Sequence, residues 1–244
     1  MSHTVSTNGR LGNQIIRNLA VCMIAKKFDL FVDYSSYDLI KSLGIELFVG
    51  KHKYESTILL NDGNYFSILG RDQLESNVYP NRNYFQTRDI VNALYKYLHT
   101  DSIKHNIIGS NPYKERYNYN NDIFIHVRLT DVVDKNPGFN YYLKTISSIG
   151  RFDRIFIASD DFNHPIVKQI MSGYPNIILF NNDEITTIQF GSTGKHVILS
   201  HGSFSAVIGY LAYYSNVYYP KYDTTRMWHG DIFSIDGWNC VDHV

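Results

Sequence analysis

Cysteine is nearly missing from the 244 residues: only Cys22 and Cys240 occur. Two such residues make no disulfide framework, so two free thiols in a reducing compartment are expected. An excess of one charge is missing too, since 23 Lys+Arg balance 23 Asp+Glu. Proteins that live on nucleic-acid phosphates carry a basic surplus, so a nucleic-acid partner is not expected. No apolar run approaches the length of a membrane-spanning helix. The opening Met-Ser-His-Thr lacks the charged and apolar regions of a signal peptide, and a soluble, cytoplasmic chain is expected. Asp-x-Asp, the arrangement that holds a cation on a diphosphate, occurs nowhere, and the ten histidines are scattered, so no metal is expected. The Gly-Lys-Ser/Thr ending of a phosphate loop and the Gly-x-Gly-x-x-Gly dinucleotide pattern are absent as well.

What the chain does have is 44% hydrophobic residues, with 20 Tyr and 14 Phe. That suffices to bury one large core or two small ones. The spacing of Ile15, Ile16, Leu19, Ala20, Met23 and Ile24 predicts a helix over Asn13–Phe28, after an extended stretch at Thr4–Thr7. Leu30–Val32 and Ser56–Leu60 read as strands, and Tyr37–Leu43 and Arg88–Leu98 as helices. Asn61–Asn83 is turn-rich and ambiguous, and the polar Gly109–Asn121 stretch reads as a boundary between halves. Beyond it the pattern is regular. Apolar runs at Ile123–Val127, Ile155–Ala158, Ile177–Phe180, Val197–Leu199 and Val217–Tyr219 alternate with helical segments at Tyr141–Ile149, Pro165–Met171, Glu184–Phe190 and Ser203–Tyr214. This alternation predicts an α/β fold, a parallel sheet covered by helices on both faces.

Ligands of such sheets bind beyond the carboxyl ends of the strands. Three polar segments stand there: Arg128–Asp131, Ser159–Asp161 and Ser200–Ser205. Arg128 suits a diphosphate, whose two oxygens a guanidinium matches, and Asp131 suits a partner of Arg128 or of a sugar hydroxyl. An Arg–Asp pair kept for stability is the competing reading. Asp160 suits ligand contact, whereas Asp161 or Asn163 suits the start of the helix at Pro165. Ser203 and Ser205, after Gly202, sit where a helix amino terminus offers N–H groups to an anion. The Gly9-Arg10-Leu11-Gly12-Asn13-Gln14 turn follows the same logic in the first half, its glycines permitting close backbone approach.

Taken together these strings resemble the α-1,2-fucosyltransferases and their α-1,6- and protein O-fucosyltransferase relatives. Gly-Arg-Leu-Gly-Asn-Gln is similar to the family's opening motif, and His126-Val127-Arg128-x-x-Asp131 to its His-x-Arg-Arg-x-Asp motif. Ile157–Asp161 and Ile198–Ser205 are similar to the two later motifs, and all four stand in the family's order. The second motif arginine is Leu129 here, and Ala206-Val207 replaces the aromatics that often follow Phe-Ser. The resemblance implies a GT-B-like fold, two Rossmann-like lobes facing a central cleft. An N-terminal acceptor lobe over 1–110, a donor lobe over 111–220 and a tail over 221–244 are expected. It also implies inverting, metal-independent transfer from a nucleotide-sugar, GDP-fucose as a rule, to a glycan acceptor, with no cofactor. Arg128, Asn13 and Asp131 would form the catalytic set, and Arg10, Gly12, His126, Asp160, Ser203, Phe204 and Ser205 would bind the donor.

Overall fold

The computed structural model describes residues 1–4 and 9–242. Past Thr4, the strand expected over Thr4–Thr7 lies outside the described residues. The chain begins with β1 (Ser2–His3), paired in parallel with β2 (Val32–Asp33). Between them runs α1 (Leu11–Phe28), which starts ahead of its first apolar ridge. Lys26 and Lys27 in its last turn suit the negative end of the helix dipole. Its residues are buried on nearly every face, as befits a helix enclosed by two lobes.

The remainder of the first lobe is made of short pieces. α2 (Tyr37–Ser42) precedes β3 (Thr57–Leu59), which pairs in parallel with β4 (Asn77–Tyr79). The ambiguous Asn61–Asn83 region thus holds α3 (Tyr65–Leu69) and β4. α4 (Arg88–Leu98) buries Ile90, Val91, Leu94 and Leu98 along one face. A helix that the sequence pattern did not reveal, α5 (Asp101–Ser110), follows at once.

The second lobe is a single sheet of six parallel strands. Its elements are β5 (Ile123–Val127), α6 (Phe139–Ile149), β6 (Ile155–Ser159), α7 (Pro165–Gly173), β7 (Ile177–Leu179), α8 (Glu184–Gly191), β8 (His196–Ile198), α9 (Ser203–Tyr210), β9 (Asn216–Pro220) and β10 (Asn239–Val241). The strand order is β10-β9-β8-β5-β6-β7. This is the doubly wound arrangement, with a reversal of order between β5 and β8. Side chains alternate across it as the pleat requires. Ile123, Ile125 and Val127 enter a core with Tyr141, Tyr142, Ile146, Val167 and Ile170 of α6 and α7. Phe124, Phe156 and Val197 enter the other core, which continues through α8 and α9 into α1 and the first lobe. α9 stops at Tyr210, short of the expected Tyr214, as Ala212 N–H turns back to Gly209 O.

Residues 221–242 are no appendage, in contrast to the expected tail. β10 extends the sheet beside β9, and Ile232, Phe233 and Ile235 are buried. The segment also reaches the first lobe, where Asp231 N–H donates to Gln86 O and Asn92 Nδ2 to Ser234 O. Among the described residues no helix is long and apolar enough to cross a membrane.

The first turns of α1 and α9 make a close approach between the lobes. A β-carbon on Gly12 would lie 2.4 Å from Phe204 N and 2.6 Å from Ser203 C. Gly12, expected to bind the donor, is therefore buried at a helix–helix contact. Asn13 reinforces the joint, since its Oδ1 accepts from Ser203 Oγ and, at 2.8 Å, from Gln86 Nε2. Gln14 holds the turn itself, donating to Gly9 O at 2.9 Å. Gly12→Ala must push backbone apart and should cost about 1–3 kcal/mol. The check is a urea titration: the midpoint falls with the slope kept, and an unmoved midpoint would mean the two helices do not meet here.

Candidate functional site

The reversal of strand order opens a crevice beyond the carboxyl ends of β5 and β8. A cavity of about 180 Å³ lies at this edge of the sheet. The pleat that sends Phe124 toward α8 sends His126 and Arg128 the same way, and both line the cavity with Phe204 of α9. Leu129, one residue on, turns into the α6–α7 core and is 1% exposed. Arg10 reaches the cavity from the first lobe. Residues far apart in the chain thus converge on one opening.

Arg128 is gripped by Asp131. Nε and Nη2 donate to Oδ1 at 3.2 and 3.1 Å, and Nη2 donates to Oδ2 at 2.8 Å. Arg10 Nη2 stands 3.5 Å from the same carboxylate. Hydrogen bonds from Arg128, helped by the charges of Arg128 and Arg10, hold the Asp131 carboxyl below its usual range. On its other side Arg128 meets Gly202, where a β-carbon would lie 2.9 Å from Nη1. Gly202 has φ 102°, so a side chain there would be strained as well as crowded. This glycine lets the guanidinium lie against the amino terminus of α9, which has no side-chain cap. First-turn N–H groups lack helical partners, and the dipole makes that end positive.

Other expected site residues hold the site from behind. Asp160 accepts from Leu129 N–H at 2.7 Å and from Thr130 Oγ1 at 2.7 Å, fixing the loop that carries Asp131. It also lines the cavity beside Ser159. Asp161 does not cap α7; it accepts from Asn163 N–H, and the His164 side chain caps α7 through Ile166 N–H. Ser205, expected to reach the donor, is fully buried, its Oγ 2.8 Å from Ser200 N and 3.0 Å from His126 Nδ1. It supports the floor rather than facing the opening. Ser203 is turned to Asn13 across the joint.

A further wall comes from the loop after β7, with Phe180, Asn181 and Asn182, and from the start of α8, with Glu184 and Thr187. The strand-end rule that singles out Arg128, Ser159 and Ser200 applies equally to Phe180-Asn181-Asn182, and this is the signal that finds it. Neighbouring strands lie about 4.8 Å apart, so β7 ends roughly 10 Å from β5. Among the described residues no group of three metal-ligating side chains converges.

No protein-family model matches the chain, and no curated protein matches it in sequence. Among solved structures it is similar to E. coli heptosyltransferase WaaC with ADP, with a TM-score of 0.54 and 10% identity over 99% of this chain and 93% of that one. It is also similar to POFUT1 in complex with GDP, with a TM-score of 0.45 and 11% identity over 89% of this chain and 98% of that one. At 10% identity the likeness to the heptosyltransferase is one of fold, and the fold is the mixed α/β, GT-B-like one with its parallel six-stranded sheet.

Two histidines beside the crevice are held neutral. Burial pushes His126 down to about 4, and burial does the same to His229. His229 lies 3.4 Å from His201 Nδ1 through Nε2 and 3.0 Å from Gly230 O through Nδ1. Their folded values lie below the ordinary 6.5, so between about pH 4 and 6.5 the unfolded chain binds protons that the folded one does not. Stability therefore falls as pH drops through that window, by at most about 1.4 kcal/mol per pH unit for each histidine. Melting temperature should decline from pH 7 to 5, above the range where carboxylates titrate, and less so in His229→Gln. A flat profile would mean these rings are not buried as described.

Proposed function

We propose that this chain is an inverting, metal-independent glycosyltransferase that moves a sugar from a nucleotide-sugar donor to a hydroxyl of a glycan acceptor. The resemblance of its motifs favours GDP-fucose as that donor. One observation carries the reading: Arg128 stands at the strand-order reversal, against the uncapped start of α9, with Arg10 of the facing lobe beside it. A departing nucleoside diphosphate needs that setting, fixed positive groups where negative charge accumulates. The likeness of fold to a heptosyltransferase with ADP supports a nucleotide in the crevice.

In the reaction the bond from the anomeric carbon to the β-phosphate oxygen breaks, and its electron pair leaves with the diphosphate. Arg128 and the α9 amide groups take up that charge. The acceptor oxygen bonds to the anomeric carbon from the opposite face, and its proton passes to solvent water, balancing the charge released on the diphosphate. Asn13, tied to Ser203 and Gln86, would stand beside the sugar in a fixed orientation. The wall from Phe180 to Thr187 would receive the nucleoside.

A second reading, nucleotide-sugar binding without transfer, draws on Leu129 in place of the motif's second arginine. The position of Arg10 weighs against it, because a second guanidinium enters the crevice from the other lobe. Removing one preorganised donor of this kind costs roughly 100- to 1000-fold in rate, so Arg128→Ala should lose about that much transfer activity. A thermal-shift panel of GDP, UDP, ADP and their sugar conjugates identifies the donor first. A ligand at 100 times its Kd stabilises by roughly 2.7 kcal/mol. A response to no nucleotide would sink the proposal, and binding without turnover of any donor would favour the second reading.

A further inference from the structure

Each end of β5 carries an aspartate between two arginines, and the two arrangements differ. At the amino end Asp122, 1% exposed, accepts from Arg116 Nη2 at 3.0 Å and from Arg154 Nη2 at 3.1 Å. That carboxylate is enclosed, and displacing it would strand buried charge. At the carboxyl end Asp131 is 41% exposed, while the Arg128 side chain that it grips is only 12% exposed. The anchor of its loop lies elsewhere: Asp160 fixes Leu129 and Thr130, whereas the Asp131 carboxylate is held by Arg128 and faces Arg10.

From this contrast we infer that Asp131 is an internal stand-in for a phosphate group, filling the two-guanidinium seat and leaving it when a diphosphate enters. The inference rests on the reading of the crevice as a diphosphate site. Two oxygens of a carboxylate meet the guanidinium edge as two oxygens of a phosphate do. The Asp131 charge relieves the repulsion between Arg128 and Arg10, since Asp160 in the lining is engaged by Leu129 and Thr130 and Glu184 stands on the wall after β7. To replace it a ligand must bring more negative charge than one carboxylate, so the seat favours diphosphates over neutral sugars and nucleosides. Asp131 thus sets specificity by competing with the ligand, in contrast to a residue that merely orients Arg128 for it.

The two roles predict opposite signs. Calorimetric titration of inorganic pyrophosphate into the full chain should give a Kd at least roughly tenfold lower in Asp131→Asn than in the wild type. GDP, UDP or ADP, whichever binds, should shift the same way, guanosine should not, and Asp131→Glu should stay near the wild type. Asp131→Ser, equally free of the carboxylate, serves if the Asn variant folds poorly. Equal or weaker pyrophosphate binding by the carboxylate-free protein overturns the inference and leaves the donor site standing. If neither protein binds pyrophosphate or any nucleoside diphosphate, the diphosphate reading itself fails.

Discussion

With no β-carbon at Gly12, the first turn of α1 rests on the backbone of Ser203 and Phe204, and the approach of the two lobes is set by that contact. Its chief consequence is electrostatic. Two helix amino termini, each worth about half a positive charge, end near Arg10 and Arg128. The chain as a whole carries no net charge, yet two guanidiniums and two helix amino termini meet around the carboxylate of Asp131. The carboxylates of the lining are Asp160, engaged by the Leu129 and Thr130 groups, and Glu184. Two guanidiniums drawn to one place repel each other, and the anion between them relieves that repulsion. The Asn13 bridge to Ser203 and Gln86, and the return of residues 229–231 onto Gln86, brace the same joint.

The pleat of β5 divides labour around the crevice. Even-numbered His126 and Arg128 look toward α9 and the facing lobe, while Val127 and Leu129 complete the core beneath α6 and α7. Behind them Ser205 and Asp160 bind backbone amides of the neighbouring loops, so the groups at the opening rest on a hydrogen-bonded floor. A rigid floor matters because fixed dipoles help a developing charge only if they need not reorganise. Asp131 is the exception, held by its arginines at the edge and exposed enough to move.

Much of the second lobe was legible because its strands are short apolar runs between amphipathic helices, and each observed strand there up to β9 overlaps one of those runs. The first lobe was harder to read. Its strands are two or three residues long, too brief for alternation to register, and α5 begins directly after α4 without a breaking residue. The crevice was legible as strand ends: Arg10, His126, Arg128, Asp160 and Phe204 all line one cavity. What pattern could not supply was partnership. That Gly12 meets Ser203, that Ser205 faces inward and that β10 joins the sheet depend on contacts between distant parts of the chain. Helical spacing shows which face is apolar but does not name what covers it.

Leu129 shows how such partnership changes the meaning of a motif. Read along the chain, a leucine where a resembling motif has arginine is a missing cation. In the fold that position points into the α6–α7 core, where an arginine would carry its charge away from the crevice or leave the core to reach it. The second guanidinium comes instead from Arg10, across the cleft and beside the first turn of α1. Because the two guanidiniums come from different lobes, the joint that seats Gly12 against α9 also sets the distance between them.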